Sequence, residues 1–418
     1  MVMGHKPLDY DLATDATPED VIKLFHRVIP TGIRHGTVTI LFQGHSVEVT
    51  TFRIDGTYSN LRHPDSVSFT PSIEKDLERR DFTMNALALD LATGALLDPH
   101  DGKEDLQKGI IRAIGNPVER FSEDGLRLLR ACRFSSQLGF LVHPDTLEGM
   151  KKTHGNILKV SVERIRSEIE KILSSPKPSL AFRIMDQTGL LEDILPDLAA
   201  ARKVGEKGSA GLDVLEHSLK ACDGAPADNL PVRLAALLHD LGKPGCRVVH
   251  PDGRETYHGH EKVSEELARN FMKKYRFPKL VEERVCRLVY HHMFDYQPDW
   301  PDSALRRLIF RVGTEYLDDL ILLREADHYG GGGAIKKHPY LDDLRKRISY
   351  LLHSGDPLGP RDLAVNGHTL HEEAGIPEGR AMGTILSHLV ETVLDDPAQN
   401  KKDILLKIAR NLYLSIQG

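Results

Sequence analysis

The apolar period of this chain changes once, near residue 117, and that change limits the folds open to it. Before it, short runs rich in β-branched residues alternate with turns. Thr37-Val38-Thr39-Ile40-Leu41-Phe42 and Ser46-Val47-Glu48-Val49-Thr50-Thr51-Phe52 predict a hairpin across Gln43-Gly44-His45. Thr17, Pro18 and Asp20 predict a capped helix start, at the N-cap, N1 and N3 positions. Residues 53–80 are polar and turn-rich and are expected to form a mobile loop. After the change, Leu126, Leu129, Arg130 and Arg133 fall at helical spacing, and 161–173 predicts another amphipathic helix. Residues 201–211 read as a linker, and 212–329 as helical and histidine-rich. Gly330 to Gly333 mark a break, with two or three helices expected over 334–418. The expected fold class is α+β, a small mixed-sheet head followed by an elongated all-α remainder.

A length of 418 residues allows two to four domains. The four cysteines, Cys132, Cys222, Cys246 and Cys286, are scattered without a CxxC. That usage fits a reducing cytoplasm and argues against a cysteine-held zinc. The net charge of -6 requires any nucleic-acid partner to meet a local basic patch. No apolar run is long enough to cross a bilayer, so no membrane partner is expected. The start, MVMGHKPLDYD, lacks the basic-then-apolar order of a signal peptide.

Three patches carry chemistry. Asp9 and Asp11 are one residue apart among apolar positions, so on a strand both project from one face and can share divalent cations. Glu48 stands between Val47 and Val49 on a later strand. Two acids followed by a third on a strand downstream resemble the polymerase-β-type nucleotidyltransferases. There, two Mg²⁺ ions roughly 3.5–4 Å apart stabilise the attacking and leaving oxygens of phosphoryl transfer. The second patch is Arg79-Arg80-Asp81-Phe82-Thr83-Met84-Asn85, whose arginines suit triphosphate oxygens and whose aspartate can accept from ribose hydroxyls. It also reads as a capped helix start with a solvated charge pair. The third patch places Asp124 and Arg127 three apart on a helix, facing the same way. They read either as an ion pair or as a base selector. A carboxylate accepts from the exocyclic amine of cytosine or adenine, and an arginine donates to the neighbouring ring nitrogen. Uracil and guanine present the opposite pattern, so one pair selects CTP and ATP.

DYDLATDATPEDV, PTGIRHGTVTI, VEVTTFR, RRDFTMNAL and SEDGLRLLRACRF together resemble the class II tRNA nucleotidyltransferases. This family includes CCA-adding, CC-adding and A-adding enzymes and bacterial poly(A) polymerases. The resemblance implies template-independent addition of C and A to the tRNA 3′ end, with tRNA, ATP and CTP as partners and Mg²⁺ as cofactor. It implies that Asp9 and Asp11 hold metal with Glu48 as third acid, and that Arg80, Asp81, Asn85, Asp124, Arg127 and Arg130 contact the nucleotide. Residues 53–70 resemble the flexible loop tied to terminal A addition. PTGIRHGTVTI looks closer to the CCA-adding branch than to poly(A) polymerases. One departure is expected to matter: the family carries a G-G-x-V-R-D turn before the D-x-D strand, and the sequence given starts after it.

The histidines form a separate constellation. His217, His239-Asp240, His258, His260, His291-His292 and Asp327 fall on predicted helices of one region, where imidazoles and carboxylates can enclose a divalent metal. The pattern H…HD…H…H…D resembles the HD phosphohydrolase domain. The resemblance implies His217, His239, Asp240 and Asp327 as metal ligands, with His260 and either His291 or His292 as auxiliary positions. It further implies phosphatase or 2′,3′-cyclic phosphodiesterase chemistry. The expected division is a head over 1–117, a neck over 118–205, the HD domain over 206–330 and a tRNA-binding tail over 331–418. Lys151, Lys152, Lys159, Arg164 and Arg166, then Lys336, Lys337, Arg345, Lys346 and Arg347, then Lys401, Lys402 and Lys407 read either as solvated faces or as a phosphate-tracking path. DLAVNGHTL…GIPEGRAMG resembles the region that packs on the tRNA elbow in this family. The rival readings are an A-adding enzyme or poly(A) polymerase, an HD phosphohydrolase with an inactive head, and a non-catalytic RNA-binding protein.

Overall fold

The computed structural model describes residues 10–56, 66–205, 212–333 and 340–417. The head is built on a four-stranded mixed sheet of β1 (Asp11–Thr14), β2 (Val28–Gly32), β3 (Thr37–Phe42) and β4 (His45–Thr51), in the order β1-β4-β3-β2. β4 runs parallel to β1 and antiparallel to β3. The hairpin forms as expected, and its turn is tighter than the sequence reading. Phe42 pairs with His45, leaving only Gln43 and Gly44, both at positive φ (49° and 81°), as a two-residue connection.

Alternation gives this sheet two unlike faces. Val38, Ile40 and Val49 pack under Val21 of α1 (Pro18–Leu24). Thr17 caps that helix, its Oγ1 accepting from the Asp20 N–H at 3.3 Å. The opposite face is polar and open, carrying Asp11, Thr39 and Glu48.

The loop expected over 53–80 is a correction. Residues 57–65 lie outside the described residues, but the flanks are regular. β5 (Arg53–Asp55) pairs with β6 (Val67–Phe69), and α2 (Ile73–Glu78) starts at an Ser72 cap. The polar sequence hid this because the strands are only three residues long. Asp76 further ties the segment down, accepting from the Arg53 backbone N–H at 3.2 Å.

The remainder is helical, beginning with α3 (Pro117–Glu123), α4 (Leu126–Leu138) and α5 (Val162–Leu173). The histidine region holds α6 (Val214–Gly224), α7 (Leu230–Leu238), α8 (His260–Lys274), α9 (Lys279–His291) and α10 (Leu317–Gly330). One apolar core runs from Phe82 through these helices to Leu351. Polar contacts also cross it. The buried Arg233 of α7 donates to the carbonyls of Leu173 (2.6 Å), Ser175 (2.7 Å) and Ala225 (3.0 Å), closing the end of α5. Asp223 of α6 accepts from the Ser179 hydroxyl at 2.6 Å. After 340 the described residues form four long helices rather than two or three: α11 (Leu341–His353), α12 (Gly367–Ala374), α13 (Arg380–Asp395) and α14 (Lys402–Gln417). Three of them share a second core of residues 365–409. No helix among the described residues is long and apolar enough to cross a membrane.

Candidate active sites

The first site grows from the open face of the head sheet. Asp11 and Glu48 are register partners across the parallel β1–β4 pair, and Thr39 is the partner of Glu48 on β3. Register partners project from the same face, so the two carboxylates stand side by side in solvent. Asp9 lies outside the described residues.

The RRDFTMN segment leaves α2, whose C-cap is Arg79, and closes in a single 3-10 turn over Thr83–Asn85. Asp76 at 1% exposure organises it, accepting from Arg79 at 2.8 Å and approaching Arg80 at 3.6 Å. Arg80 donates to the Asn85 carbonyl at 3.2 Å. Asp81 is buried and fully engaged, bonded to Arg130 Nε at 2.6 Å, the Asn85 amide at 2.9 Å and the Phe82 N–H at 2.9 Å. Burial opposes its charge, but the Arg130 guanidinium and the Asn85 amide hold its carboxyl below the usual range. Asp105, which the sequence reading missed, accepts from Thr83 at 2.7 Å and Arg112 at 2.9 Å. Asp76 had a visible signal, three and four residues before the two arginines. Asp105 had none, since it reaches Thr83 from a separate helix.

The expected placement of Asp124 and Arg127 on one helix needs correction. Asp124 is not on a helix; it sits in extended conformation (φ −142°, ψ 107°) at the break between α3 and α4. The two side chains are bonded apart. Asp124 accepts from the Leu126 N–H at 3.0 Å and from Arg164 of α5 at 2.7 Å. Arg127 turns inward at 9% exposure, bonded to Glu123 and to the carbonyls of Arg120 (3.0 Å) and Arg79 (3.1 Å). A cavity of about 330 Å³ adjoins these residues, lined by Ile54, Lys75, Arg79, Arg120 and Glu123 among others.

The second site lies where α6, α7, α8, α9 and α10 converge. His217, His239 and Asp327 form one group of possible metal ligands, and Asp240, His260 and His292 a second. Asp240 belongs to both by distance. Its Oδ2 lies 3.0 Å from His239 Nε2, and its Oδ1 lies 3.2 Å from His260 Nε2 and 3.6 Å from His292 Nε2. Asp327 Oδ1 lies 3.0 Å from His217 Nε2. His239, His260 and His292 each place Nδ1 against the carbonyl three residues earlier, at 2.9, 2.8 and 2.7 Å. With Nδ1–H donating to the carbonyl, each Nε2 faces inward, and a metal bound there would take the place of any proton on it. Burial disfavours a charged His239, but Asp240 and Asp327 raise its pKa to about 10. Asp240 and Asp327 are buried, yet the imidazoles hold both well below the usual carboxylate range. Lys243, not singled out from the sequence, meets Asp240 Oδ2 at 2.7 Å.

Between the two candidates left open, His292 joins the cluster and His291 does not. His291 faces a separate cavity of about 510 Å³ beside Arg287 and Tyr316, and burial together with Arg287 and Arg311 lowers its pKa to about 4. His258 is exposed outside the cluster. Adjacent helix-end residues point apart, so only one of two neighbouring histidines can enter a core.

Several expected RNA contacts are occupied elsewhere. Arg347 donates to the carbonyls of Pro298 and Trp300 and to Asp302, and Arg345 pairs with Glu325 at 2.9 Å. Arg164 is engaged with Asp124, and Arg166 with the Arg276 carbonyl. Lys151, Lys152, Lys159, Lys346, Lys401, Lys402 and Lys407 are exposed, and Lys336 and Lys337 lie outside the described residues.

Comparison with known proteins gives the family. A family model described as Poly A polymerase head domain matches residues 1–112, one described as Probable RNA and SrmB-binding site of polymerase A matches 139–202, and one described as HD domain matches 212–330. A CCA-adding enzyme of Geobacillus stearothermophilus is 33% identical over 409 residues, covering 96% of this chain and 88% of the relative. One of Geobacillus kaustophilus is 44% identical over 405 residues, with the same shares. The crystal structure of the Bacillus stearothermophilus CCA-adding enzyme in complex with CTP superposes with a TM-score of 0.71 at 29% identity, covering 100% of this chain and 91% of that one. Matched to such relatives over 96% of its own length and 88% of theirs, at 33% and 44% identity, the chain belongs to the CCA-adding enzyme family.

Proposed function

We propose that this protein adds C and A to the 3′ end of tRNA from CTP and ATP without a nucleic-acid template. The juxtaposition of Asp11 and Glu48 on an open sheet face carries this reading. In the reaction the tRNA 3′-hydroxyl oxygen bonds to the α-phosphorus, the bond to the bridging oxygen breaks, and pyrophosphate leaves. Mg²⁺ held by Asp9, Asp11 and Glu48 would stabilise the attacking and leaving oxygens. Arg80 orients the nucleotide, with Asp81, Asn85 and Arg130 as one bonded unit beside it. Asp124 accepts from the exocyclic amine of the incoming base. The relative solved with CTP supports the nucleotide class.

The histidine cluster acts separately, as a metal-dependent phosphohydrolase toward phosphomonoesters or 2′,3′-cyclic phosphates. His217, His239, Asp240 and Asp327 are the proposed ligands, with His260 and His292 as auxiliaries. A divalent metal there would supply an activated water and neutralise phosphate charge. Lys243 is placed to attract the phosphate. We assign the head to 1–117, the neck to 118–205, the HD domain to 206–330 and the tail to 331–418. The protein works in the cytoplasm, where unpaired cysteines are maintained.

Incubation with tRNA ending at the discriminator base, and with tRNA ending at CC, tests the transferase reading. Sequential addition of C, C and A is expected. Incorporation of A alone on the CC substrate would make this an A-adding enzyme. No incorporation, with phosphate still released, would leave only the phosphohydrolase.

A further inference from the structure

The open face of the head sheet carries more than its acids. Asp11, Glu48 and Thr39 stand in one row across β1, β4 and β3, each the register partner of the next. Neighbouring strands lie about 4.8 Å apart, so Thr39 is one strand from Glu48 and two from Asp11. On the edge strand β2, Ile29 pairs with Thr39 and Gly32 with Thr37, so Pro30 and Thr31 together oppose Val38. This is a bulge of two residues against one. In an unbroken register Thr31 would stand opposite Thr37. The bulge moves it one place toward Thr39, and the two hydroxyl oxygens meet at 3.0 Å. Thr37 bonds instead to Thr50 at 3.1 Å. Two bonded hydroxyls share one proton. The Thr31/Thr39 pair therefore keeps a second O–H and spare lone pairs, with no partner among the described residues.

The segment that holds the nucleotide hangs from the other side of the acids. The Phe52 N–H donates to the Thr14 carbonyl at 2.7 Å, tying the end of β4 to β1. Arg53, next in the chain, donates to Asp76, which pairs with Arg79. The sheet surface beyond Glu48, toward β3 and β2, is left to the other reactant. That reactant is an RNA end whose 3′-hydroxyl must reach Asp11 and Glu48. Its 2′-hydroxyl sits on the neighbouring ribose carbon and is both donor and acceptor, which is what the threonine pair leaves open. A plain ladder of threonines on a solvent-facing sheet would need no bulge to form. Resting on the transferase reading above, we infer that Thr39 binds the 2′-hydroxyl of the tRNA 3′-terminal nucleotide and so selects an RNA end over a DNA end. Thr31 is then a positioning residue, fixing the rotamer and proton of the Thr39 hydroxyl.

Paired changes in the RNA end and the residue test this. C addition to tRNA ending at the discriminator base, and A addition to tRNA ending at CC, are measured with the terminal ribose unmodified, 2′-deoxy or 2′-fluoro. The fluoro sugar keeps the RNA pucker but cannot donate. In the wild-type protein each loss of the hydroxyl is expected to lower kcat/KM about fivefold or more, the size of one neutral hydrogen bond. In Thr39→Val, which keeps the volume and the β-branch, the unmodified end falls by as much and the penalty shrinks to about twofold or less. Thr39→Ser, which keeps the hydroxyl, retains most of the penalty. Thr37→Val, the same change two residues away, retains all of it. A Thr39 that served only the sheet would lower all three ends alike in Thr39→Val and leave the penalty intact, which would overturn the inference. So would a wild-type protein indifferent to the 2′ position, or a penalty abolished by Thr37→Val instead. Wild-type protein that adds neither C nor A to any unmodified tRNA would instead overturn the transferase reading.

Discussion

Asp11 and Glu48 face each other as register partners on parallel strands, and both are exposed. Both side chains stand on the open face, away from the apolar cluster that holds the sheet to α1. Their removal should cost catalysis and spare the fold. Asp11→Asn and Glu48→Gln are each expected to lower nucleotide incorporation about a thousandfold, the scale of lost metal-borne charge stabilisation. Stability should stay within about 0.5 kcal/mol of wild type, as for exposed substitutions. Incorporation assays and thermal unfolding check both halves.

The histidine cluster predicts a graded metal content. Asp240 turns one oxygen to each ligand group, so Asp240→Asn should empty both positions. His292→Ala should lose one, and His291→Ala none, because that side chain lies in a different cavity. Elemental analysis of the purified variants measures this directly. Phosphate release should follow metal content, while C and A incorporation stays within about twofold, additivity being expected between distant sites.

Asp81 sets an acid dependence. Its folded pKa is depressed, so the stability it contributes is present above the unfolded value of about 3.9 and is lost as pH falls through the folded value. Asp81→Asn should cost about 2 kcal/mol at pH 7, since Arg130 loses its charged partner. The difference from wild type should narrow below pH about 4 as the native carboxyl protonates. Denaturant titrations at pH 7 and pH 3 would show it, and a gap that widens in acid would count against it.

Arg233 is buried at 3% exposure and serves three carbonyls at once. Arg233→Met fills similar volume but leaves those acceptors unpaired, with an expected loss of about 3 kcal/mol. Calorimetry would read this as a lower Tm, and an unchanged transition would mean that water replaces the guanidinium.

The sequence carried the strongest local signals. The Gln43-Gly44 hairpin, the Thr17 cap and the α4 and α5 helices all formed where period and turn chemistry placed them. The D-x-D and Glu48 strands could be recognised singly, but their register is a long-range property of the sheet. Asp124 was misplaced because a helix spacing of three cannot reveal a break between two helices. Its partner, Arg164, lies 40 residues away and looked like an ordinary basic surface residue. The same limit applied to Arg347, whose four contacts come from residues around 300. Adjacent histidines could not be told apart until the end of α9 fixed which one turned inward.

The guanidinium of Arg233 also bears on modularity. The family models divide this chain at about residue 202, yet the side chain that closes the end of α5 comes from beyond that line. α5 is the same helix that supplies Arg164 to Asp124. A transferase half expressed alone would therefore lose the cap on the helix that holds Asp124. Separation of the two halves, by engineering or by gene fission, would have to provide a substitute for that one residue.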